Sequence, residues 1–133
     1  MRGLDTNVLA RYVLADDSEQ TRIARDQIEG AEEGGTFLYI NVIVLCELVW
    51  VLRSAPHRLD RSAIAQIVQI LLDTSTFEIQ DRDLVRRALA EFRDGSADFP
   101  DYLLGWVNQK AGCQDTVTFD RKLREAPGFS WLT

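Results

Sequence analysis

Carboxylates at the ends of predicted strands and helices are the residues of this sequence that could do chemistry. Asp5 and Asp120 each follow a predicted strand directly, and in an open α/β sheet ligands bind beyond the carboxyl ends of the strands. Asp98 and Asp101 stand at the start of a predicted helix, where the helix dipole favours negative charge. Glu47 is the one ionisable residue inside a long apolar segment. These acids are therefore candidates for one functional site.

Carboxylates gathered in one pocket would form a site for a hard divalent cation. If four of them converge, they could not all stay ionised at neutral pH unless such an ion sat among them. Ligation by oxygen alone points to Mg²⁺, with Mn²⁺ as a substitute, rather than to zinc. Such an ion activates water and stabilises the charge that develops on a phosphodiester under attack. We expect the catalytic metal ligands to be Asp5, Glu47, Asp101 and Asp120, with Asp98 assisting as a further ligand.

Each of these acids also has a simpler structural interpretation. Asp5 could be only an N-cap, the commonest role of an aspartate between a strand and a helix. Glu47 is expected to be buried, and burial of an unpaired carboxylate is unfavourable, which favours a functional role. The structural alternative is that its side chain reaches solvent along the helix surface. Asp98 and Asp101 could be alternative caps of one helix, and we expect Asp101 to be the ligand and Asp98 a cap or a group that supports the ligands from outside. Asp120 could cap a short helix beginning at the next residue and still bind a metal ion.

The predicted elements alternate between strand and helix along nearly the whole chain. Helices are expected from Thr6, from Ser18, over 42–53, after the N-cap Asp60, around 84–92, over 98–111 with Gly112 closing it, and over 121–125; strands are expected to end at Asp5 and to span 37–40, 77–79, 116–119 and 129–132. This alternation is typical of a parallel sheet with helices on its faces. The apolar stretch 37–52 is too short and too interrupted to span a membrane and is predicted to be core.

Length and charge narrow the possible functions. With 133 residues and no linker or repeat, the sequence predicts a single domain over 1–133. A net charge of −6 argues against a protein that binds nucleic acid through a broad basic face. Cys46 and Cys113 are predicted to be buried, reduced thiols, and His57 an exposed loop residue. The N-terminal segment lacks a signal-peptide pattern, so a cytoplasmic location is expected.

Several motifs together resemble PIN-domain ribonucleases, and within them the VapC toxins of bacterial VapBC toxin–antitoxin pairs. The motifs are Leu4-Asp-Thr-Asn7, the isolated Glu47, Ala97-Asp-Phe-Pro-Asp-Tyr-Leu-Leu104, Gly112-Cys113 and Thr116-Val-Thr-Phe-Asp-Arg-Lys-Leu123. They occur in the family's order over essentially the whole chain, and their combination is specific although each is weak alone. The resemblance implies a PIN-like three-layer α/β/α sandwich around a parallel sheet of about five short strands.

The resemblance also implies an activity, a cofactor and partners. It implies an RNA endonuclease that depends on Mg²⁺ or Mn²⁺ and acts on structured RNA such as transfer RNA or ribosomal RNA. It further implies a homodimer and inhibition by a VapB-like antitoxin. Carried over by motif, the family's metal-binding acids correspond to Asp5, Glu47, Asp101 and Asp120, and an additional acid to Asp98.

Polar and basic residues beside these acids have expected supporting roles. Thr6, Asn7 and Thr118 match polar positions of the family that orient metal ligands. Arg11 and Arg121 are the residues that we expect to contact RNA. The chain departs from the usual family pattern at Pro100, Tyr102 and Gly105.

Other classes of protein use a similar acidic pocket. A receiver-like module or a haloacid-dehalogenase-like phosphatase also binds Mg²⁺ in an α/β fold, and would have no nuclease activity. Receivers place paired acids after the first strand, and these phosphatases place a second aspartate two residues after the first. Here only Asp5 follows the first strand, Glu47 comes from a helix, and Asn7 stands where the second aspartate would be.

Overall fold

The structure is a computed structural model that describes residues 1–133. In it, short strands alternate with helices. In chain order the elements are β1 (Arg2–Gly3), α1 (Thr6–Leu14), α2 (Glu19–Glu33), β2 (Leu38–Ile40), α3 (Val42–Arg53), α4 (Arg61–Asp73), β3 (Phe77–Ile79), α5 (Arg82–Asp94), α6 (Phe99–Lys110), β4 (Thr116–Thr118), a 3₁₀ turn (Arg121–Leu123) and β5 (Phe129–Trp131). The chain divides into two compact units, Met1–Asp81 and Arg82–Thr133. No helix has both the length and the apolar character needed to cross a membrane.

The first unit contains a three-stranded parallel sheet and four helices. Its strand order is β1–β2–β3, with Leu38 of the central strand beside Arg2 on one side and Phe77 on the other. Parallel neighbours need a crossover between them, and here α1 and α2 connect β1 to β2, while α3 and α4 connect β2 to β3. Each helix contributes fully buried side chains to the core, among them Leu9, Ile28, Leu45 and Val68.

Side-chain caps begin three of the helices in this unit. Ser18, Asn41 and Asp60 each accept the backbone N–H three residues further on, at 3.1, 2.8 and 2.8 Å, at the starts of α2, α3 and α4. Such a cap satisfies one of the N–H groups that the first turn of a helix leaves unpaired. The predicted helix starts at Ser18, at residue 42 and after Asp60 are confirmed.

The second unit contains two helices, α5 and α6, which pack against each other. It also contains the parallel strand pair β4–β5. The strands pair in register from Thr116 opposite Phe129. Phe92 of α5 and Phe99 of α6 meet edge to face, with ring centroids 6.2 Å apart. After α6, Gly112 has φ +99, a left-handed conformation that favours glycine, as predicted for a residue that closes this helix.

Strand pairing and cysteine burial differ from the sequence predictions in part. Five short parallel strands are present, as predicted, and they form a three-stranded sheet, β1–β2–β3, and a two-stranded sheet, β4–β5. The prediction of a buried Cys113 is wrong, because this residue lies in the exposed turn that follows α6 rather than on an apolar helix face. Cys46 is half-buried, and His57 is exposed as predicted.

Gly105 is a position in the second unit where a side chain has no room. A Cβ at Gly105 on α6 would lie 2.7 Å from Cε2 and 2.8 Å from Cζ of Phe129 on β5. We expect Gly105→Ala to lower the free energy of unfolding by about 1–3 kcal/mol, the usual effect of overpacking, although alanine is the better helix former. Urea denaturation followed by circular dichroism measures the change.

Gly30→Ala is the matched control for this prediction. Gly30 lies inside α2, and a Cβ there meets nothing within 4 Å. We expect Gly30→Ala to raise the free energy of unfolding by up to about 1 kcal/mol, because alanine restricts the unfolded chain and favours the helix. A similar gain from Gly105→Ala would contradict the predicted clash with Phe129.

Candidate metal-binding residues

Asp5 stands at the carboxyl end of the first strand. The backbone N–H of Leu4 donates to the carbonyl of Tyr39 at 2.9 Å, so the chain leaves the sheet at Asp5. Asp5 then occupies the N-cap position of α1 with an extended backbone, yet its side chain makes no capping hydrogen bond. The side chain is exposed. A purely structural role as a helix cap therefore does not explain this aspartate.

Glu47 is exposed, so the prediction that it is buried is wrong. Helix α3 buries Val44, Leu45, Leu48, Val49 and Leu52. These positions recur at helical spacing and leave residue 47 on the opposite face. On that face Ile43 is 65% exposed and Trp50 is 48% exposed. The predicted core stretch 37–52 is thus buried only in part, and Glu47 is an acid on an exposed, largely apolar helix face.

Asp98 and Asp101 cap α6 together. Asp98 Oδ1 accepts the backbone N–H of Phe99 at 2.9 Å, and Asp101 Oδ2 accepts the backbone N–H of Asp98 at 3.3 Å. The two acids form a reciprocal capping box. Asp98 is the N-cap, as predicted, and Asp101 also belongs to the capping arrangement. Each ionised carboxylate has further lone pairs that can accept another partner, so capping orients these side chains without excluding a metal ion.

Asp120 follows β4 and is exposed. Its Oδ1 accepts the backbone N–H of Lys122 at 2.9 Å, which caps the 3₁₀ turn as the sequence predicts. The backbone N–H of Asp120 itself donates to Thr118 Oγ1 at 3.0 Å. Thr118 therefore holds the backbone of Asp120 in place, in keeping with the supporting role expected of this threonine.

The other predicted residues differ in their contacts. Thr6 is half-buried at the start of α1, and Asn7 and Arg121 are exposed. Arg11 Nη1 lies 3.2 Å from Asp16 Oδ2. Hydrogen bonds from Ser18 and Thr21, together with the Arg11 guanidinium, hold the pKa of Asp16 well below its ordinary value. Arg11 therefore faces a carboxylate that stays ionised, in an ion pair on the protein surface.

The candidate acids lie in both units. Asp5 and Glu47 belong to the first unit, and the other three belong to the second. The structure brings Asp98 and Asp101 into direct contact at the start of α6. Neither unit by itself gathers three or more side chains of the metal-binding types into one group. Convergence of the five acids stays a prediction.

Glu91 is a perturbed carboxyl group that the sequence did not single out. It lies on α5 and accepts a hydrogen bond from the Trp106 indole of α6. Burial raises the pKa of Glu91 above its ordinary value, although the indole hydrogen bond opposes this. The Arg87 guanidinium lies over the Trp106 ring, 5.1 Å from its centroid. No local motif marks Glu91, because its partner is 15 residues away.

Comparisons with known proteins agree with this fold. The PIN domain family matches residues 4–128, and the chain belongs to this family. A curated relative named VapC ribonuclease, from Aquifex aeolicus (strain VF5), is 25% identical over 125 residues, which cover 94% of this chain and 91% of the relative. No solved structure matches the chain. Family membership confirms the predicted fold class, α/β with parallel strands.

Proposed function

We propose that this protein is a metal-dependent RNA endonuclease that acts as the toxin of a type II toxin–antitoxin pair. The observation that carries the proposal is Asp5, an exposed carboxylate at the end of β1 that makes no capping hydrogen bond in a chain of the PIN family. The name of the Aquifex aeolicus relative supports ribonuclease activity and the VapC type. PIN family membership favours this function over a receiver-like or phosphatase-like domain.

The candidate ligands fit a hard divalent cation. All are carboxylates, and several are oriented by backbone hydrogen bonds at element ends. Oxygen donors of this kind suit Mg²⁺, with Mn²⁺ as a substitute. We propose that Asp5, Glu47, Asp101 and Asp120 hold the ion and that Asp98 assists. When bound, the ion would supply activation of water and stabilisation of charge on phosphorus.

The chain's own residues have distinct tasks in this mechanism. A carboxylate of the set accepts the proton of the attacking water. The capping box holds Asp98 and Asp101 in a fixed orientation, and Thr118 holds Asp120 through its backbone. Preorganised groups of this kind need no rearrangement during the reaction. We expect the products to carry 5′-phosphate and 3′-hydroxyl ends.

The RNA and the partners follow from the same proposal. The 21 Asp and Glu of the chain outnumber its 15 Lys and Arg, so we expect it to select structured RNA, such as transfer RNA or ribosomal RNA, by shape and a few arginines rather than by a broad basic face. Arg11 and Arg121 are the proposed contacts. The exposed apolar face of α3, which includes Ile43 and Trp50, supports a protein partner. We propose a homodimer and a VapB-like antitoxin, with the cytoplasm as the place of action.

Removal of divalent metal tests the proposed chemistry. We expect the purified protein to cleave transfer RNA or ribosomal RNA in the presence of Mg²⁺ or Mn²⁺. Cleavage should stop in EDTA and resume when excess Mg²⁺ is added. Gel electrophoresis and sequencing of the new 5′ ends measure the reaction. A preparation of Asp5→Ala purified in the same way controls for contaminating nucleases. Cleavage that continues undiminished in EDTA would rule out the metal-dependent mechanism.

A further inference from the structure

The facing surfaces of α1 and α2 form an open groove in the first unit. Its volume is about 290 Å³, and its lining includes Asn7 and Arg11 of α1 and Gln20, Ile23 and Gln27 of α2. Pockets that bury small ligands begin at roughly 300 Å³. The groove therefore has room for one ring-shaped group.

No acidic residue lines the groove, although the whole chain has a net charge of −6. Arg11 is its one charged lining residue. Helix α2 contains several acids, Glu19, Asp26, Glu29, Glu32 and Glu33, and none of them lines the groove. Arg11 is paired with Asp16 Oδ2 at 3.2 Å, so the groove offers a ligand mainly amide and apolar side chains, with no carboxylate in its lining.

The polar side chains of the groove can hydrogen-bond the edge of a base. The amides of Asn7, Gln20 and Gln27 each offer both donors and an acceptor, which is what the unpaired edges of RNA bases require. Arg2 Nη1 donates to Gln27 Oε1 at 3.2 Å and so restrains this amide. Ile23 is 57% exposed and provides an apolar surface against which the face of a base can lie.

The groove begins beside the proposed metal ligand of α1. Asn7 lies in the first turn of that helix, two residues after Asp5. Since an α-helix rises about 1.5 Å per residue, the groove starts only about 3 Å further along the helix axis than Asp5. A nucleotide whose phosphate lies near Asp5 can therefore extend its base into the groove.

We propose that the α1–α2 groove binds one unpaired nucleobase of the RNA next to the phosphate that is cut, and thereby selects the cleavage site. The proposal rests on the proposed nuclease function and adds a specificity site to it. Amide groups select between bases by matching donors and acceptors, while Ile23 supplies contact area that is common to all bases.

A matched pair of double variants tests the groove. Gln20→Ala/Ile23→Ala removes one amide and one apolar side chain from the groove. Gln66→Ala/Ile70→Ala removes the same two residue types from α4, where Gln66 is exposed and Ile70 is 53% exposed. With a pool of short RNAs randomised around the cleavage site, we expect the first variant to lose roughly fivefold in preference between the best and worst sequences, and the α4 variant to keep the wild-type preference.

A binding measurement separates this proposal from the nuclease function. In EDTA, the side-chain amide signals of Gln20 and Gln27 in ¹⁵N-labelled wild-type protein are followed by NMR during titration with AMP, GMP, CMP and UMP. We expect these signals to shift more with one nucleotide than with the others. Unshifted signals together with an unchanged sequence preference in the groove variant would overturn the groove proposal. A wild-type protein that cleaves no RNA in Mg²⁺ would overturn the nuclease function, while the titration would still test the groove.

Discussion

We expect Asp5→Ala to abolish RNA cleavage and to leave the stability of the protein unchanged. The carboxylate is a proposed metal ligand, and loss of several kcal/mol of transition-state stabilisation corresponds to about a thousandfold fall in rate. Stability is expected to persist because the exposed Asp5 side chain makes no capping hydrogen bond that alanine would remove. Cleavage rates in Mg²⁺ and urea denaturation measure the two effects.

Asp60→Ala is the matched control for Asp5→Ala. Asp60 is also an aspartate at a helix N-cap in the first unit, but its Oδ1 accepts the backbone N–H of Ala63 at 2.8 Å. Loss of such a cap costs about 1 kcal/mol of stability. We therefore expect Asp60→Ala to be less stable and fully active, the reverse of Asp5→Ala. If Asp5→Ala kept wild-type activity, or if Asp60→Ala lost as much activity as Asp5→Ala, the argument for Asp5 as a metal ligand would fail.

We expect Glu47→Gln to reduce cleavage about a hundredfold or more with no change in the free energy of unfolding. Glutamine has the size of glutamate but lacks the negative charge that strengthens the binding of a hard cation. Because Glu47 is exposed on α3, its neutralisation neither relieves a buried charge nor opens a cavity. Cleavage rates over a range of Mg²⁺ concentrations, with denaturation curves, measure the effect. A lost ligand should also raise the Mg²⁺ concentration needed for half-maximal activity.

Glu29→Gln controls for the loss of one negative charge. Glu29 is an exposed glutamate on α2 of the same unit, and we expect its replacement to leave both activity and Mg²⁺ dependence as in the wild type. The double variant Asp5→Ala/Glu47→Gln tests whether the two acids serve one ion, since residues that act as a unit are far from additive. Full activity of Glu47→Gln would remove Glu47 from the proposed ligand set.

The exposure of Glu47 changes the effect expected from neutralising it. An unpaired buried carboxylate would make Glu47→Gln stabilising, because burial disfavours the charged form. The structure places this residue on the solvent side of α3 instead, so the functional interpretation no longer rests on the energy of a buried charge. It rests on the family match and on an acid within a helix that is otherwise apolar up to Leu52.

Local chemistry in the sequence predicts much of this fold. The bounds of α3 and β3 agree with the predicted 42–53 and 77–79. A capping asparagine and helical spacing of apolar residues act over a few residues, and so does the alternation of buried Phe77 and Ile79 with exposed Glu78. The capping roles of Ser18, Asp60, Asp98 and Asp120 are local for the same reason: each side chain bonds a backbone N–H within three residues.

The sequence by itself determined the alternation of strands and helices, the caps and the set of candidate acids, because these depend on neighbours in the chain. Only the tertiary structure decided which side of α3 faces solvent, that Cys113 is exposed, that Glu91 bonds Trp106, and that α1 and α2 form a groove without acids. These features depend on how helix faces pack against residues distant in sequence. Packing buries the face with the most apolar area, and a single sequence does not reveal which partner covers it.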